Sequence, residues 1–389
     1  MLSAPLLVWG TYDVSKPNVR LLLAGIRAAG VPVHEVHADI WAGVRDKGTL
    51  TRGEQLRAVG RWIAAMPRLV AAYLRAPAHA AVLVPYLGVF DLLVLAPFVR
   101  FRRTPVIWQI FISPYDTAVN DRRMLSRWNP LAWVLYVCEW LACRLAARAF
   151  LDTAAHARRF EGLMGLERGT IGAVPLGTDP ARFPPRDGKP TVHAPLRIFF
   201  YGQYIPLHGL DTIVRAAKLL EEQGVAVEWE LAGTGQEHAR ITALIETLGA
   251  RSVKQLGWVD AAAIPGRVQA CDVGLGIFGT SGKAVTVVPN KAYEIAATQT
   301  PLISADTPAL AEFAPGHPWV LRVPPGDPAA LASRVAAIVR DGAWPDAPPM
   351  PVIGPAEIGA AFLRVAGDLL AASAPRDARD PRDPREGRA

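Results

Sequence analysis

The stretch from residue 196 to residue 220 reads LRIFFYGQYIPLHGLDTIVRAAKLL and contains a complete strand–turn–helix pattern. Residues 196–202 form an apolar run of strand length, and residues 209–223 have the apolar spacing of a helix. A helix that begins directly after a glycine turn offers free backbone N–H groups to a phosphate. The turn 202–209 is equally an ordinary tight connection, so it does not decide the function by itself.

The same alternation of strands and helices runs along most of the chain. Other apolar runs of strand length lie at 6–10, 32–37, 81–87, 105–111, 148–153, 227–233, 255–259, 273–278 and 300–306. This order predicts parallel sheets with helices on both faces, and two sets of about 150 residues predict two doubly wound α/β domains. Ligands of such sheets bind at the carboxyl ends of the strands.

The domain limits follow from changes in composition. Residues 178–195 are rich in proline and polar residues, as a linker would be. Proline and alternating charge in the last residues predict a disordered tail. The expected divisions are an N-terminal Rossmann-like domain 1–177, the linker 178–195, a C-terminal domain 196–345, a segment 346–373 with a helix at 355–373, and the tail 374–389.

Composition and charge limit the classes of function. The 389 residues are 51% hydrophobic and 20% charged, which excludes disorder or coiled coil for most of the chain. The net charge is +7, with +8 in residues 1–180 and −1 in the remainder. A basic half is typical of a protein that binds an anionic membrane, a phosphorylated substrate or nucleic acid. The alternative is a protein that has a high isoelectric point and no such partner. No lysine-rich arm or RNA-binding signature is present, so we expect no nucleic-acid partner.

Targeting and membrane signals are weak. Cys138, Cys143 and Cys271 lack metal-ligand spacing and favour a reduced cytoplasm. The N-terminus lacks the cationic start and long apolar core of a signal peptide. Residues 80–99 are interrupted by prolines, and residues 128–143 contain a glutamate, so we expect no spanning helix.

Residues 51–76 predict an amphipathic helix. Four arginines fall on one side, and Trp62, Ile63, Met66, Leu69, Val70 and Tyr73 fall on the other. Pro67 is expected to kink or divide it. Together with RFRR at 100–103, this helix suits docking on anionic lipid. A helix packed on its own domain with solvated arginines has the same sequence pattern, and both interpretations stay open.

The most informative stretch is PNKAYE at 289–294. A helix beginning near Pro289 would place Lys291 and Glu294 on one face of its first turn. A carboxylate there can accept from two ribose hydroxyls while the ammonium meets a diphosphate. An exposed ion pair on a helix is the alternative. The second glycine turn, 233–235, lacks the third glycine of a dinucleotide fingerprint, which excludes a nicotinamide cofactor.

Several segments, taken in order, resemble the C-terminal domain of retaining glycosyltransferases of family 4, and the first half is similar to that family's acceptor domain. The C-terminal segments are FYGQYIPLHGLDTIVRAAKLL (200–220), WELAGTGQE (229–237), LGWV (256–259), CDVGLGIF (271–278) and PNKAYEIAATQTPLISADTPALAEF (289–313). Those in the first half are WGTYD (9–13) with Arg20, ISPYDTAVNDRRM (112–124) and VPLGTD (174–179).

The resemblance implies a GT-B fold: two doubly wound Rossmann-like domains facing an interdomain cleft, with helix 355–373 crossing back to the first. It implies transfer of a sugar, with retention, from a UDP- or GDP-sugar to a glycan or lipid-linked acceptor in cell-surface polysaccharide or glycolipid synthesis. The nucleotide sugar is a co-substrate, and no metal or other cofactor is expected. The expected location is the cytoplasm, at the inner face of the cell membrane.

The resemblance also indicates the site residues. Glu294 matches the glutamate that holds the ribose, 202–209 matches the phosphate turn, and 257–259 lies where the base is bound. The donor-binding set is Gly202, Gln203, Gly209, Gly233, Gly235, Val259, Lys283, Asn290 and Glu294. The acceptor-side set is Gly10, Arg20, Asp121 and Arg122.

Four positions depart from the family pattern. Thr286 replaces its first glutamate, Gln203 and His208 replace the arginine and lysine of its phosphate turn, and Gln109 aligns with an acceptor-domain histidine. We therefore hypothesise that Lys291, Lys283 and protonated His208 supply the missing positive charge, and that Asp116 or Arg20 orients the sugar or acceptor. Lys291, His208 and Asp116 are the catalytic candidates. An inert nucleotide-sugar-binding paralogue and an NDP-sugar epimerase of the same fold stay open as alternatives.

Overall fold

A computed structural model describes residues 4–41, 51–122 and 124–372. The chain forms two compact units, each considered separately below. The first comprises Met1–Phe111, Cys138–Phe150 and Gly359–Ala389, and the second comprises Ile112–Val137 and Leu151–Ile358. The tail predicted at 374–389 lies outside the described residues.

The first sheet has six strands in the order β2-β1-β3-β4-β5-β6, and β1 to β5 pair in parallel. The strands are β1 (Leu6–Gly10), β2 (Val33–His37), β3 (Ala81–Val84), β4 (Val106–Gln109), β5 (Arg148–Leu151) and β6 (Ile171–Ala173). The helices are α1 (Pro17–Ala28), α2 (Arg52–Arg75), α3 (Val89–Arg102), α4 (Pro114–Asp116), α5 (Pro130–Leu145) and α6 (Ala154–Met164), with a π-helical turn at Thr117–Asp121.

Helix α2 illustrates how local sequence sets these elements. It begins with a capping box in which Thr51 and Glu54 exchange hydrogen bonds, and it continues past Pro67 as one helix of 24 residues. Met66, Leu69 and Tyr73 are buried, whereas the arginines of the opposite side are exposed. Most of the apolar side therefore packs within the first unit.

The second sheet has six strands in the order β12-β11-β10-β7-β8-β9. The strands are β7 (Leu196–Tyr201), β8 (Val227–Ala232), β9 (Val253–Gly257), β10 (Val273–Leu275), β11 (Leu302–Ala305) and β12 (Val320–Val323). The helices that follow β7 along the chain are α7 (Leu210–Glu222), α8 (His238–Leu248), α9 (Ile264–Ala270), α10 (Asn290–Ala297), α11 (Pro308–Phe313) and α12 (Pro328–Asp341), with a 3₁₀ turn at Pro206–His208. The last helix, α13 (Pro355–Ala372), belongs for the most part to the first unit.

Both sheets are parallel, with helices between successive strands, as the sequence predicted. The core of the second sheet lies between its strands and the apolar sides of α7 and α12. None of the helices in the described part of the chain is long and apolar enough to cross a membrane.

Candidate functional site

Three strand ends meet at one edge of the second sheet. Gly202 follows β7, Gly233 follows β8, and Gly257 ends β9. The N–H of Gly202 donates to Ala232 O at 3.0 Å, and the N–H of Gly233 donates to Gly257 O at 2.6 Å. A Cβ on Gly233 would overlap the carbonyl oxygen of Gly202, and its φ of +134° is strained for any other residue. The two predicted glycine turns therefore pack backbone against backbone.

The turn after β7 closes tightly on the rest of the sheet. Gly209 has a φ of +63°, and a Cβ there would lie 2.6 Å from the carbonyl carbon of Phe278. The N–H of Phe278 donates to His208 O at 3.0 Å. The His208 side chain is buried, and its Nδ1 hydrogen-bonds the carbonyl oxygen of Gln203.

Burial, together with the positive charge of Lys291, lowers the pKa of His208 well below its usual value. His208 is thus neutral near pH 7 in the free protein. His208 can therefore supply a positive charge near pH 7 only if the negative charge of a bound ligand raises its pKa again.

Lys291 lies in the first turn of α10, which begins at Asn290 directly after Pro289 as predicted. Its side chain is buried, with Nζ 3.7 Å from the centroid of the Phe200 ring and 3.2 Å from where a Cβ on Gly202 would be. Nζ has no hydrogen-bond partner among the described residues. Burial lowers the pKa of Lys291 well below its ordinary value, and Glu294 acts in the opposite direction. An unpaired cationic donor beside a glycine turn is suited to an anion.

Glu294 lies one helical turn further along the same helix. The hydroxyl of Tyr201 donates to its Oε2 at 2.6 Å, and Oε1 has no hydrogen bond with any residue the structure describes. Burial raises the pKa of Glu294, while Tyr201, Arg182 and Lys291 lower it. Tyr201 holds the carboxylate in place and leaves one oxygen for ligand hydroxyls.

The rim of this site includes two further features. Oδ1 of Asn290 is buried without a hydrogen-bond partner among the described residues. Val259 lies in the loop after β9, next to Trp258, whose side chain is 69% exposed. Trp258 lies inside the segment 257–259 that the resemblance assigns to the base, although only Val259 was named from it as a site residue. A large aromatic side chain directly after a strand end is suited to stacking on a flat ligand.

Lys283 belongs to a different cluster from Lys291. Its Nζ lies 3.6 Å from Oδ2 of Asp121 and donates to Oγ1 of Thr117 at 3.2 Å. The hydroxyl of Ser281 donates to the other oxygen of Asp121 at 3.1 Å. Burial lowers the pKa of Lys283, and Asp121 opposes this shift. The sequence grouped Lys283 and Lys291, but their surroundings differ. Among the described residues Lys283 has a carboxylate partner, Asp121, whereas Nζ of Lys291 has no hydrogen-bond partner.

Asp116 lies in the same cluster as Lys283. Its Oδ1 accepts from Nη2 of Arg159 at 2.8 Å and from Nδ2 of Asn120 at 2.7 Å. A Cβ on Gly282 would overlap the Arg159 guanidinium, so glycine makes room for this cation. Arg122 adds further positive charge near Lys283. Sequence reasoning missed Arg159, since nothing in the segment around it marks that contact.

The remaining acceptor-side candidates lie in the first unit. Gly10 ends β1 with a φ of +132°, and a Cβ there would lie 2.5 Å from Oδ2 of Asp91. The N–H of Thr11 donates to Asp91 at 2.6 Å, as does the indole N–H of Trp62. Burial raises the pKa of Asp91, a residue that the sequence analysis did not select. Arg20 is exposed on α1.

Two of the departures from the family pattern serve the backbone. The Gln109 side chain is buried, accepts from the N–H of Tyr86 at 3.3 Å and donates to Asn18 O at 3.5 Å. The hydroxyl of Thr286 donates to Lys283 O at 3.0 Å. Neither side chain supplies a charge to its site.

No cluster of three or more His, Cys, Asp or Glu side chains that could hold a metal ion occurs in the described ranges.

The comparison with known protein families concerns the part of the chain that forms the second sheet. The model of the family Glycosyl transferases group 1 matches residues 195–341, the range that contains every donor-binding candidate named above.

Residues 195–341 are therefore similar to the group 1 glycosyltransferase domains.

A curated relative is similar to part of this chain. WcaL of Escherichia coli (strain K12), which carries the name of a colanic acid biosynthesis glycosyltransferase, is 29% identical over 177 residues. The alignment covers 45% of this chain and 43% of WcaL. The chain thus spans less than half the length of the curated relatives it matches.

Solved structures share the fold over nearly the whole chain. HepE of Anabaena, crystallised with UDP and glucose, superposes with a TM-score of 0.60 at 14% identity and covers 95% of this chain and 97% of its own. Sucrose-phosphate synthase from Thermosynechococcus elongatus has a TM-score of 0.62 at 16% identity, covering 96% and 94%. The chain has the GT-B fold that these structures share, as the sequence predicted.

Proposed function

We propose that this protein is a glycosyltransferase that transfers a sugar from a nucleotide sugar to a glycan or lipid-linked acceptor in polysaccharide synthesis. The match of residues 195–341 to the group 1 glycosyltransferase family supports this activity, and HepE, which shares the fold, was crystallised with UDP and glucose. The name of WcaL, a relative over part of the chain, favours an extracellular polysaccharide as the product.

One observation carries the proposal: the ammonium of Lys291 is buried, without a hydrogen-bond partner in the described part of the chain, beside the glycine turn that follows β7. An isolated buried cation is costly unless a ligand pairs with it. A diphosphate placed against this turn would accept from Nζ and from backbone N–H groups together. The same contact would stabilise the charge that develops on the leaving nucleoside diphosphate.

The neighbouring groups fit the rest of a nucleotide sugar. Oε1 of Glu294 would accept from ribose hydroxyls, and the exposed ring of Trp258 would stack on the base beside Val259. Asn290 offers a buried amide oxygen near the start of α10. In this proposal Lys291 is the catalytic cation.

We assign the second cluster to the sugar and acceptor end of the reaction. Asp116 is the candidate that orients a hydroxyl, and Arg159 holds its carboxylate in place. Lys283 neutralises Asp121 and is a positioning residue in this proposal. Arg20 and Arg122 stay candidates for acceptor contacts.

A catalytically inert nucleotide-sugar-binding protein is the second candidate. Its supporting observation is Thr286, whose hydroxyl is committed to backbone carbonyls where the family has a carboxylate. Release of free nucleoside diphosphate that depends on both donor and acceptor would favour the transferase. Donor binding without any release would favour the inert protein, and turnover of the nucleotide sugar without acceptor would favour an epimerase.

Retention, metal independence and location are parts of the same proposal. Retention predicts that the new glycosidic bond keeps the donor's anomeric configuration in an NMR spectrum of the first product. Metal independence predicts that EDTA leaves turnover unchanged. Location in the cytoplasm at the inner membrane face predicts that the protein fractionates there in cells.

The membrane contact predicted for residues 51–76 and 100–103 stays a prediction. Its supporting feature is the row of exposed arginines on α2. However, Met66, Leu69 and Tyr73 already pack inside the first unit, so only part of the apolar side is open to lipid.

The experiment that tests the proposal begins with a thermal-shift screen of UDP, GDP and their sugars. A ligand at 100 times its dissociation constant stabilises by about 2.7 kcal/mol. The stabilising donor is then incubated with candidate lipid-linked acceptors, and free nucleoside diphosphate is measured. A protein that responds to none of these nucleotides is not the proposed enzyme.

A further inference from the structure

Helix α5 presents an apolar side to solvent. The large apolar side chains exposed along it are Leu131, Trp133, Val134, Val137, Trp140, Leu141 and Leu145. They follow the three- and four-residue spacing of one helical face. The single carboxylate of the helix, Glu139, is fully buried on the other side. A helix on a water-facing surface ordinarily has the opposite arrangement, so this face is built for an apolar environment.

The segment before the helix extends this face. Trp128 is 71% exposed, Trp133 is 55% exposed, and the guanidinium of Arg127 lies over the Trp128 ring at 4.7 Å. With Tyr115 and Tyr136 these residues line an open aromatic groove of about 360 Å³. Tryptophan and tyrosine rings prefer the boundary between lipid headgroups and acyl chains.

The other end of α5 provides positive charge. Arg144 lies over the Trp140 ring at 3.6 Å and lines a pocket of about 400 Å³ together with Arg100 and Arg103 of the α3 end. No carboxylate of the described residues forms an ion pair with these three arginines. Phe101, between two of them in sequence, is 87% exposed. The pocket is suited to a phosphate headgroup with its chains lying along the apolar face.

Charge selects a lipid surface over a second copy of the chain. Residues 127–145 contain two arginines, Arg127 and Arg144, and one glutamate, Glu139, which is buried. A two-fold dimer through this face would bring these arginines near their copies, and α5 has no exposed carboxylate to pair with them. An anionic bilayer supplies both the apolar phase and the negative charge.

We propose that the exposed face of α5, with the Arg100–Arg103–Arg144 pocket at its end, docks the protein on an anionic phospholipid bilayer. The helix has 16 residues, about 24 Å of length, and lies in the plane of the interface without crossing it. The tryptophans enter the headgroup region while the arginines contact lipid phosphates. This surface differs from the one predicted on α2 but shares Arg100 and Arg103 with the lipid contact predicted for residues 100–103. It does not depend on the proposed transfer reaction.

The test measures binding to vesicles of phosphatidylglycerol and phosphatidylcholine, with pure phosphatidylcholine vesicles in parallel. Wild-type protein should float with the anionic vesicles and bind the neutral ones at least tenfold more weakly. The double variant Val137→Glu/Leu141→Glu should weaken binding to anionic vesicles by tenfold or more. The charge-matched control Ala243→Glu/Ala262→Glu, at exposed positions of the second unit, should bind like the wild type. The variant Arg100→Gln/Arg103→Gln/Arg144→Gln should lose the preference for anionic lipid.

Nucleotide-induced thermal shifts separate this test from the proposed function. The α5 variants should keep the wild-type melting profile and nucleotide response, whereas Lys291→Met should keep vesicle binding. Wild-type protein that ignores anionic vesicles, or α5 variants that bind them normally, would overturn the proposal. A solution dimer that Val137→Glu/Leu141→Glu dissociates, in a protein that does not float, would assign the face to a second copy.

Discussion

Replacing Lys291 with methionine should make the free protein more stable and its nucleotide complex weaker. The ammonium is buried without a hydrogen-bond partner among the described residues, which costs roughly 1–3 kcal/mol. Nζ lies 3.7 Å from the centroid of the Phe200 ring, and this cation–π contact offsets roughly 0.5–2 kcal/mol of the cost of burial. Methionine keeps the length and packing of the side chain without the charge. We expect a net gain of about 1 kcal/mol, or roughly 2–4 °C in melting temperature.

The same substitution removes a charged donor from the nucleotide. Hydrogen bonds to charged groups contribute about 1.5–3 kcal/mol, so the affinity for UDP should fall roughly 10- to 150-fold. At a concentration that stabilises the wild type by about 2.7 kcal/mol, a 30-fold loss of affinity leaves about 0.9 kcal/mol. Turnover should fall by about 10²-fold or more, because the cation also stabilises the departing diphosphate.

The lowered pKa of Lys291 also determines how the stability of the protein should change with pH. Since burial lowers the pKa of Lys291 in the folded protein, the unfolded chain binds more protons between that lowered pKa and the ordinary lysine value. The free energy of unfolding should therefore rise with pH across this window, and Lys291→Met should remove that slope. A diphosphate raises the pKa again, so nucleotide binding in the same window should take up protons.

Differential scanning calorimetry with and without UDP measures both stabilities, and titrations in buffers of different ionisation enthalpy measure the proton uptake. Lys254→Met, at an exposed position of β9, is the matched control and should change neither. The reasoning is refuted if Lys291→Met destabilises the free protein while the UDP-induced stabilisation stays at its wild-type value.

Three further predictions concern neighbouring groups. Glu294→Gln should weaken donor binding about tenfold or more, while Glu228→Gln on the exposed side of β8 leaves it unchanged in the same titration. Gly233→Ala should lower the free energy of unfolding by roughly 1–3 kcal/mol in a urea melt, and Gly266→Ala, whose Cβ meets nothing within 4 Å, should cost less than that. Lys283→Met should reduce the stability of the protein, because it removes the cation of a buried ion pair. The dissociation constant for UDP should stay within twofold of the wild-type value. A tenfold loss of UDP affinity would instead show that Lys283 belongs to the donor site.

Strand and helix positions were largely predictable from the sequence, because apolar periodicity reports burial. Strand β1 was predicted at its observed limits, and β7 to within one residue. Strand β12 was missed because its four residues include Arg322 and are only partly buried. Strand β6 has three residues, too few for a periodic signal.

The candidate site was predictable where one helix carries it. Lys291 and Glu294 lie a turn apart on α10, so local spacing was sufficient. The environment of Lys283 was not predictable, because its partner Asp121 lies more than 150 residues away in the chain. The exposed face of α5 was hidden for another reason. An apolar face that packs in a core and one that meets lipid have the same sequence pattern.

The central claim is that the edge formed by β7, β8 and the start of α10 binds the diphosphate of a nucleotide sugar. Calorimetric titration of UDP and GDP, each beside its own nucleoside, tests it most directly. We predict saturable one-to-one binding of one of these nucleotides, with its nucleoside at least tenfold weaker, since the nucleoside lacks the group that Lys291 and the glycine turn would hold. Equal affinities for nucleotide and nucleoside, or no binding of either nucleotide, would contradict the claim.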